Sequence, residues 1–297
     1  MLNTIQTLTK EQYPYLLRQI SALPKKMDLR GTLPSDDNKF LCVIGARKCT
    51  SYGKEVCAKL IRGLKGYPIV IVSGLAIGID SIAHEEALAA GLKVIAFPGS
   101  GLADHVLYPS SSRQLAHKII ESGNALLSPF DLEQGGADWT FPARNRLMAG
   151  TSHATLIIEA STDSGTLITS GFAADFGREL LVVPNSVFIE TSYGSNNLLR
   201  EGGTAVTNSE EVLEGLGFET TLKNQQLLLN LSELSLSPEE QLIIECLRVE
   251  PLSSSDIIEK TLLPPSLFNI KVSELELRGF IVESGGQYRL GSLDARH

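Results

Sequence analysis

Residues 41–80 read LCVIGARKCT SYGKEVCAKL IRGLKGYPIV IVSGLAIGID. An apolar run, Leu41 to Ile44, ends on glycine, and an amphipathic segment of helical period, Gly53 to Leu64, follows it. A second apolar run, Ile69 to Val72, then enters another glycine turn. Strand, helix, strand in this order predicts a parallel pair joined by a crossover helix.

The alternation continues downstream. Val94 to Phe97, Ala125 to Leu127, Leu156 to Ile158 and Leu180 to Val183 read as strands. Ser81 to Ala90, Arg113 to Glu121, Thr166 to Phe176 and Asn196 to Arg200 read as helices. The predicted fold is α/β: a Rossmann-like, doubly wound, mainly parallel sheet over 41–216. Ligands of such sheets bind at the carboxyl ends of the strands. Upstream, residues 1–40 hold one short helical pattern, Tyr13 to Ile20, and turn residues at Pro24, Gly31, Pro34 and Asp36, and read as a lead-in.

After Gly217 the pattern stops, and residues 217–236 read as a linker. Ser237-Pro-Glu-Glu is a helix start, with a capping hydroxyl, proline at the first helical position and acids in the first turn. Helices at Ser237 to Val249, Ser254 to Lys260 and Pro265 to Arg278 precede a hairpin, Phe280-Ile-Val and Tyr288-Arg-Leu about Gly285-Gly286. That is winged-helix order, over 237–297.

A length of 297 residues with 43% hydrophobic content suits two domains. The net charge of -8 opposes a nucleic-acid partner in sum. Its distribution does not, because 41–150 carries 11 basic against 9 acidic residues and 237–297 carries 6 against 10. An anion site therefore belongs in the first half. Cys42, Cys49, Cys57 and Cys246 form no C-x-x-C pair and read as reduced thiols. Lys10, Glu11 and Arg18 interrupt any leader-like run, and no apolar stretch could span a bilayer, so a cytoplasmic protein is expected.

Three strand ends carry glycine where a helix should begin: Gly45 with Arg47 beside it, Ser73-Gly74, and Gly99-Ser100-Gly101. Backbone N–H groups and a helix dipole make such turns anion sites, although tight packing alone would explain any one of them. None is a P-loop or a dinucleotide fingerprint. Phe141-Pro-Ala-Arg144-Asn145-Arg146 places an aromatic ring and two guanidiniums just before a predicted helix, the chemistry that a stacked base and its phosphate need. A core ring beside a solvated basic turn is the plainer alternative. Ser164-Gly165-Thr166 suits an oxyanion or a helix cap. His84, His105, His117 and His153 have no metal-ligand spacing, and Glu85 and Glu86 read as a solvated face. Asp80 reads as a buttress for its glycine turn. No acid, base and nucleophile set is visible, so no catalysis, metal or cofactor is expected.

Gly45-x-Arg47 with Tyr52-Gly53, Ser73-Gly-x-Ala-x-Gly-Ile-Asp80, Gly99-Ser-Gly101, Phe141-Pro-x-Arg-Asn-Arg146, Ser164-Gly-Thr166 and Gly194-Ser-Asn196 together resemble the DNA-processing protein A family over 41 to about 216. The resemblance implies sequence-independent binding and protection of single-stranded DNA, loading of RecA recombinase in natural transformation and DNA recombination, and a homodimer formed through the Rossmann-like domain. Single-stranded DNA-binding protein is a further implied partner. Carried over residue by residue, Arg47 contacts phosphate, and the Ser73-Gly74 and Gly99-Ser100-Gly101 turns offer backbone donors. Phe141, Arg144 and Arg146 hold nucleotides, Ser164, Gly165 and Thr166 join the DNA contacts, and Asn145 and Asn196 are polar contacts or loop braces. Many members begin with a small helical domain, which this chain is expected to lack. The acidic winged helix, with Lys271 and Arg278 against Glu274 and Glu276, is expected to contact protein.

Two other functions compete. Nucleotide phosphoribohydrolases share the fold and carry P-G-G-x-G-T-x-x-E, but here Thr162 and Asp163 replace the glycines and Thr169 replaces the carboxylate. A nucleotide-sensing winged-helix regulator would need a basic wing, and Val282 to Tyr288 contains no Lys or Arg.

Overall fold

A computed structural model describes residues 4–218, 236–247, 251–284 and 286–290. They fall into two units, one within Met1–Thr220 and one within Thr221–His297. The first contains, in chain order, β1 (Ile5–Leu8), β2 (Met27–Gly31), β3 (Lys39–Ile44), α1 (Ser51–Arg62), β4 (Ile69–Ser73), α2 (Ile79–Ala89) and β5 (Lys93–Ala96). Then come α3 (Arg113–Glu121), β6 (Ala125–Ser128), α4 (Thr140–Thr151), β7 (Ala154–Ile157), α5 (Gly165–Asp175), β8 (Glu179–Val182), α6 (Tyr193–Arg200), β9 (Thr204–Ala205) and α7 (Ser209–Gly215). The nine strands form one sheet in the order β1-β2-β6-β5-β4-β3-β7-β8-β9. Neighbours from β6 to β9 run parallel, while β1 pairs antiparallel with β2 and β2 with β6.

The strand period divides the core between the two faces of the sheet. Leu41, Val43, Ile69, Ile71 and Leu156 lie in one apolar layer with Leu60 and Ile61 of α1 and Ala83 of α2. Phe40, Cys42, Ile44, Val70 and Val72 lie in the other with Leu147 and Met148 of α4. Strands buried on both faces show unbroken apolar runs, which is why β3 to β8 were legible. Helix starts are equally local: the Thr50 hydroxyl accepts from the Gly53 amide at 3.1 Å at the head of α1.

The first forty residues differ from the expected lead-in. The segment Tyr13 to Ile20, expected to be helical, holds only a 3-10 turn at Leu17–Gln19, and a second one, Lys10–Gln12, precedes it. β1 and β2 flank them as sheet strands. Their signal was hidden because β2 buries polar side chains on its second face: Arg30 pairs with Asp104 at 2.5 Å, and Asp28 accepts from the Thr7 hydroxyl at 2.7 Å. The sequence reading also missed β9 and α7.

The second unit contains α8 (Pro238–Leu247), β10 (Leu252–Ser253), α9 (Ser254–Thr261), α10 (Pro265–Leu277), β11 (Ile281–Ser284) and β12 (Gln287–Leu290). Its antiparallel sheet has the order β10-β12-β11 over Ile243, Ile257, Phe268, Val272 and Leu275, completing a winged helix. The Ser237 hydroxyl accepts from the Glu240 amide at 3.3 Å, and the Glu240 carboxylate accepts from the Ser237 amide at 2.6 Å, the reciprocal cap that starts α8. The predicted linker, beyond Gly217, Phe218 and Leu236, and the end of the first helix at Val249 lie outside the described residues. Among the described residues no helix is long and apolar enough to cross a membrane.

Candidate functional site

Strand order reverses between β3 and β7, whose carboxyl ends lie side by side at Ile44 and Ile157. The chain leaves β3 towards one half of the sheet and β7 towards the other, so their exit loops part. A crevice at such a point is the usual ligand site of an open α/β sheet. A cleft of about 590 Å³ occupies it here. Gly45 to Lys48 form one wall, Ser161 and Ser164 to Thr166 the other, and α4 closes the side with Phe141, Arg144, Asn145 and Met148.

Those four positions on α4 are spaced i, i+3, i+4 and i+7, one stripe of a helix. The segment expected to precede the helix is therefore its first turns, and this separates the two guanidiniums. Arg146 sits two residues from Arg144, on the opposite face, where it donates to the carbonyls of Ser21 and Ala22 and lies over the Phe176 ring. It does not line the cleft.

Arg47, exposed in the loop after β3, lies with its guanidinium carbon 5.2 Å from the centre of the Phe141 ring, within cation–π range. The ring is itself positioned by Gly99, where a Cβ would stand 2.5 Å from the Phe141 Cδ1 and Cε1 atoms. Tyr108, which carried no sequence signal, packs against it with ring centres 5.4 Å apart.

Arg144 is buried beneath this pair and donates to the Phe97 carbonyl at 2.6 Å. Its Nη1 occupies the space a Cβ at Gly74 would take, so that glycine permits close approach of a charged group. Its Nε has no hydrogen-bond partner among the described residues. Asp80, on the first turn of α2, is also buried and accepts from the Gly74 amide at 3.1 Å. Burial pushes the Asp80 carboxyl upward in pKa, opposed by the attraction of Arg144 and by backbone N–H groups. Burial lowers the Arg144 pKa while Asp80 opposes that change. His84, one turn further along α2, is wholly buried and pushed down to about 3 by desolvation, so it is neutral at physiological pH.

At the opposite wall Ser164 caps α5, accepting from the Thr166 amide at 3.2 Å, and Asn145 donates to the Gly165 carbonyl at 3.4 Å. The amino terminus of α5 thus opens on the cleft, with its dipole favouring an anion. Arg47, Lys48 and Arg144 outnumber Asp80 and Asp138 in the lining.

Several expected contacts lie elsewhere. The Ser73 hydroxyl donates to the Val43 carbonyl at 2.6 Å, and the Gly74 amide is taken by Asp80. Ser100 is buried, its hydroxyl accepting from the Tyr108 amide at 3.2 Å, and the Gly101 amide donates to the Gln134 carbonyl at 2.8 Å. These glycine turns use the donors just named inside the fold, where packing requires small residues. Asn196 exchanges hydrogen bonds with Asn185 and braces a loop. In the winged helix Lys271 of α10 pairs with Glu274 at 2.7 Å, and Arg278, which follows α10, pairs with buried Glu240 at 3.0 Å, so both basic groups are internally matched.

The model of the family described as DNA recombination-mediator protein A matches residues 4–217, and that of the DprA winged helix domain matches residues 230–287. The DNA processing protein DprA of Streptococcus pneumoniae is 36% identical over 206 residues, 69% of this chain and 72% of that protein. Protein Smf of Escherichia coli is 35% identical over 208 residues, 70% of this chain but 55% of its own length. Among solved structures, DNA processing protein A from Helicobacter pylori superposes with a TM-score of 0.63 at 28% identity, covering 72% of this chain and 96% of that one. That structure is described for a single-stranded DNA binding mode.

Proposed function

The chain belongs to the DNA recombination-mediator protein A family, and from that premise we propose that its switch-point cleft binds single-stranded DNA without sequence preference. One observation carries the reading: a phosphate-seeking guanidinium, Arg47, and a stackable ring, Phe141, meet at the mouth of a cleft backed by the amino terminus of α5. Base stacking is indifferent to sequence because every base has a π-face, and the cation neutralises the backbone. Of the expected contacts, Arg47, Phe141, Arg144, Asn145, Ser164, Gly165 and Thr166 remain in this proposal.

Family membership supports extending the role to protecting the strand and delivering it to RecA recombinase in recombination and transformation, as a cytoplasmic homodimer. The matched charges of α10 favour a protein contact for the winged helix. A phosphoribohydrolase is disfavoured, because Thr169 lines the cleft where that reaction needs a carboxylate. Incubation with nucleoside monophosphates is therefore expected to release no ribose phosphate.

The test is the salt dependence of binding to a fluorescent oligothymidine and to a matched duplex. Arg47→Ala is expected to weaken single-strand binding and to flatten the log–log slope by about 0.7, because one phosphate is no longer neutralised. Equal slopes in the two proteins, or tighter duplex binding, would overturn the reading.

A further inference from the structure

A second cleft, of about 430 Å³, lies on the other side of α4. The residues of α4 that line it, Ala143, Arg146 and Leu147, occupy the helix stripe opposite Phe141, Arg144 and Asn145. Trp139, the residue immediately before α4, stands at this cleft and is 59% exposed, the most exposed large ring of the loop that leads into the helix. It is held in place from one side: the buried Phe130 ring meets it edge-on at 5.4 Å between centres, with planes 87° apart. Lys25 is exposed on the same lining, and Lys26 bridges Asp28 and Asp131 at 3.4 Å each. Arg146 ties down the facing loop through the Ser21 and Ala22 carbonyls.

An exposed tryptophan supported by a buried ring, with a cation alongside, has no part in packing the core. Each side of α4 thus carries a ring and a cation on its cleft, Phe141 and Arg47 on one and Trp139 and Lys25 on the other. A helix with its side chains is about 10–12 Å across, so an extended strand leaving the first cleft can cross the head of α4 within a few nucleotides.

We propose that this cleft is a second nucleotide subsite, in which Trp139 stacks a base of the same single strand and Lys25 neutralises its phosphate. The inference rests on the reading of the switch-point cleft as a single-strand site. It assigns Trp139, Lys25 and the head of α4 to the track of the DNA.

The chain contains one tryptophan, so its emission reports on Trp139 alone. The experiment titrates the full-length protein with unlabelled oligothymidines from about 4 to about 16 nucleotides, the span of known single-strand site sizes. Affinity is read separately by competition against a labelled strand. Short strands are expected to bind without quenching, and longer strands to quench. Trp139→Ala and Lys25→Ala should each weaken the long strands, the former about tenfold, and leave the short ones unchanged, while Trp139→Phe retains most of the long-strand affinity. Arg47-dependent binding at every length with constant emission, or quenching already complete with the shortest strand, overturns the second subsite and leaves the first. No binding at any length overturns both.

Discussion

Phe141→Ala is expected to weaken oligothymidine binding by about 1–3 kcal/mol, roughly 5-fold to 150-fold, the cost of removing one stacking platform. The ring is placed for that task by three independent constraints. It projects from the first turn of α4, lies against Gly99 with no room for a Cβ between them, and packs beside Tyr108. Such a ring binds without first paying to order itself. It also supports Arg47, whose guanidinium carbon lies 5.2 Å from its centre. Removing the ring therefore releases the cation as well, and the double variant Phe141→Ala, Arg47→Ala should fall short of the sum of the two single effects by about 0.5–1 kcal/mol. Phe141→Leu separates stacking from packing, because it fills the space above Gly99 without a π-face. Competition binding at one fixed salt concentration measures all four proteins. Wild-type affinity in Phe141→Ala places the bases elsewhere, and strict additivity removes the cation–π support.

The sheet was legible because its parallel strands are buried on both faces and so appear as continuous apolar runs. The antiparallel strand β2, between the edge strand β1 and β6, was not, because Asp28 and Arg30 occupy buried positions and interrupt the pattern. Partners such as Thr7 and Lys26 for Asp28, and Asp104 and the Leu102 carbonyl for Arg30, make those positions tolerable. The site divides in the same way. Arg47, Phe141, Arg144 and Asn145, which line one cleft, were singled out by residue type, since rings and guanidiniums suit few other tasks at the end of a strand. Ser73, Ser100 and Gly101 were chosen as donors, and the sequence cannot show that Val43, Tyr108 and Gln134 already engage them. Treating Phe141 to Arg146 as a turn grouped Arg144 with Arg146. Helical geometry sends them to opposite faces, and it is that separation which exposes the second cleft. Trp139 was passed over as the residue before a motif.

Arg144→Met is expected to destabilise the larger unit by about 3–5 kcal/mol, the usual result of removing one member of a buried charge pair. Arg144 and Asp80 are each almost fully buried, and they attract across the space Gly74 leaves open. Methionine matches the aliphatic stem but strands Asp80 as an uncompensated carboxylate and leaves the Phe97 carbonyl without its donor. Asp80→Asn in the same chain removes the stranded charge and should restore part of the stability, although the amide hydrogen-bonds Gly74 less strongly. The pH dependence has a definite sign. The folded-state pKa of Asp80 already lies above its unfolded value because burial disfavours the anion. Between those two pKa values the folded state binds more proton than the unfolded chain, so across that window this carboxylate lowers stability as pH rises and the effect is relieved on acidification. Removing Arg144 raises that pKa further. The deficit of Arg144→Met relative to wild type should therefore shrink as the pH falls from about 7 towards about 5, and in the double variant it should be nearly flat. Urea unfolding of the two variants and the wild type across that range measures both effects. A deficit that widens in acid, or a double variant no more stable than Arg144→Met, would show that hydrogen bonding of Arg144 to Phe97, rather than its attraction for Asp80, holds the base of the cleft together.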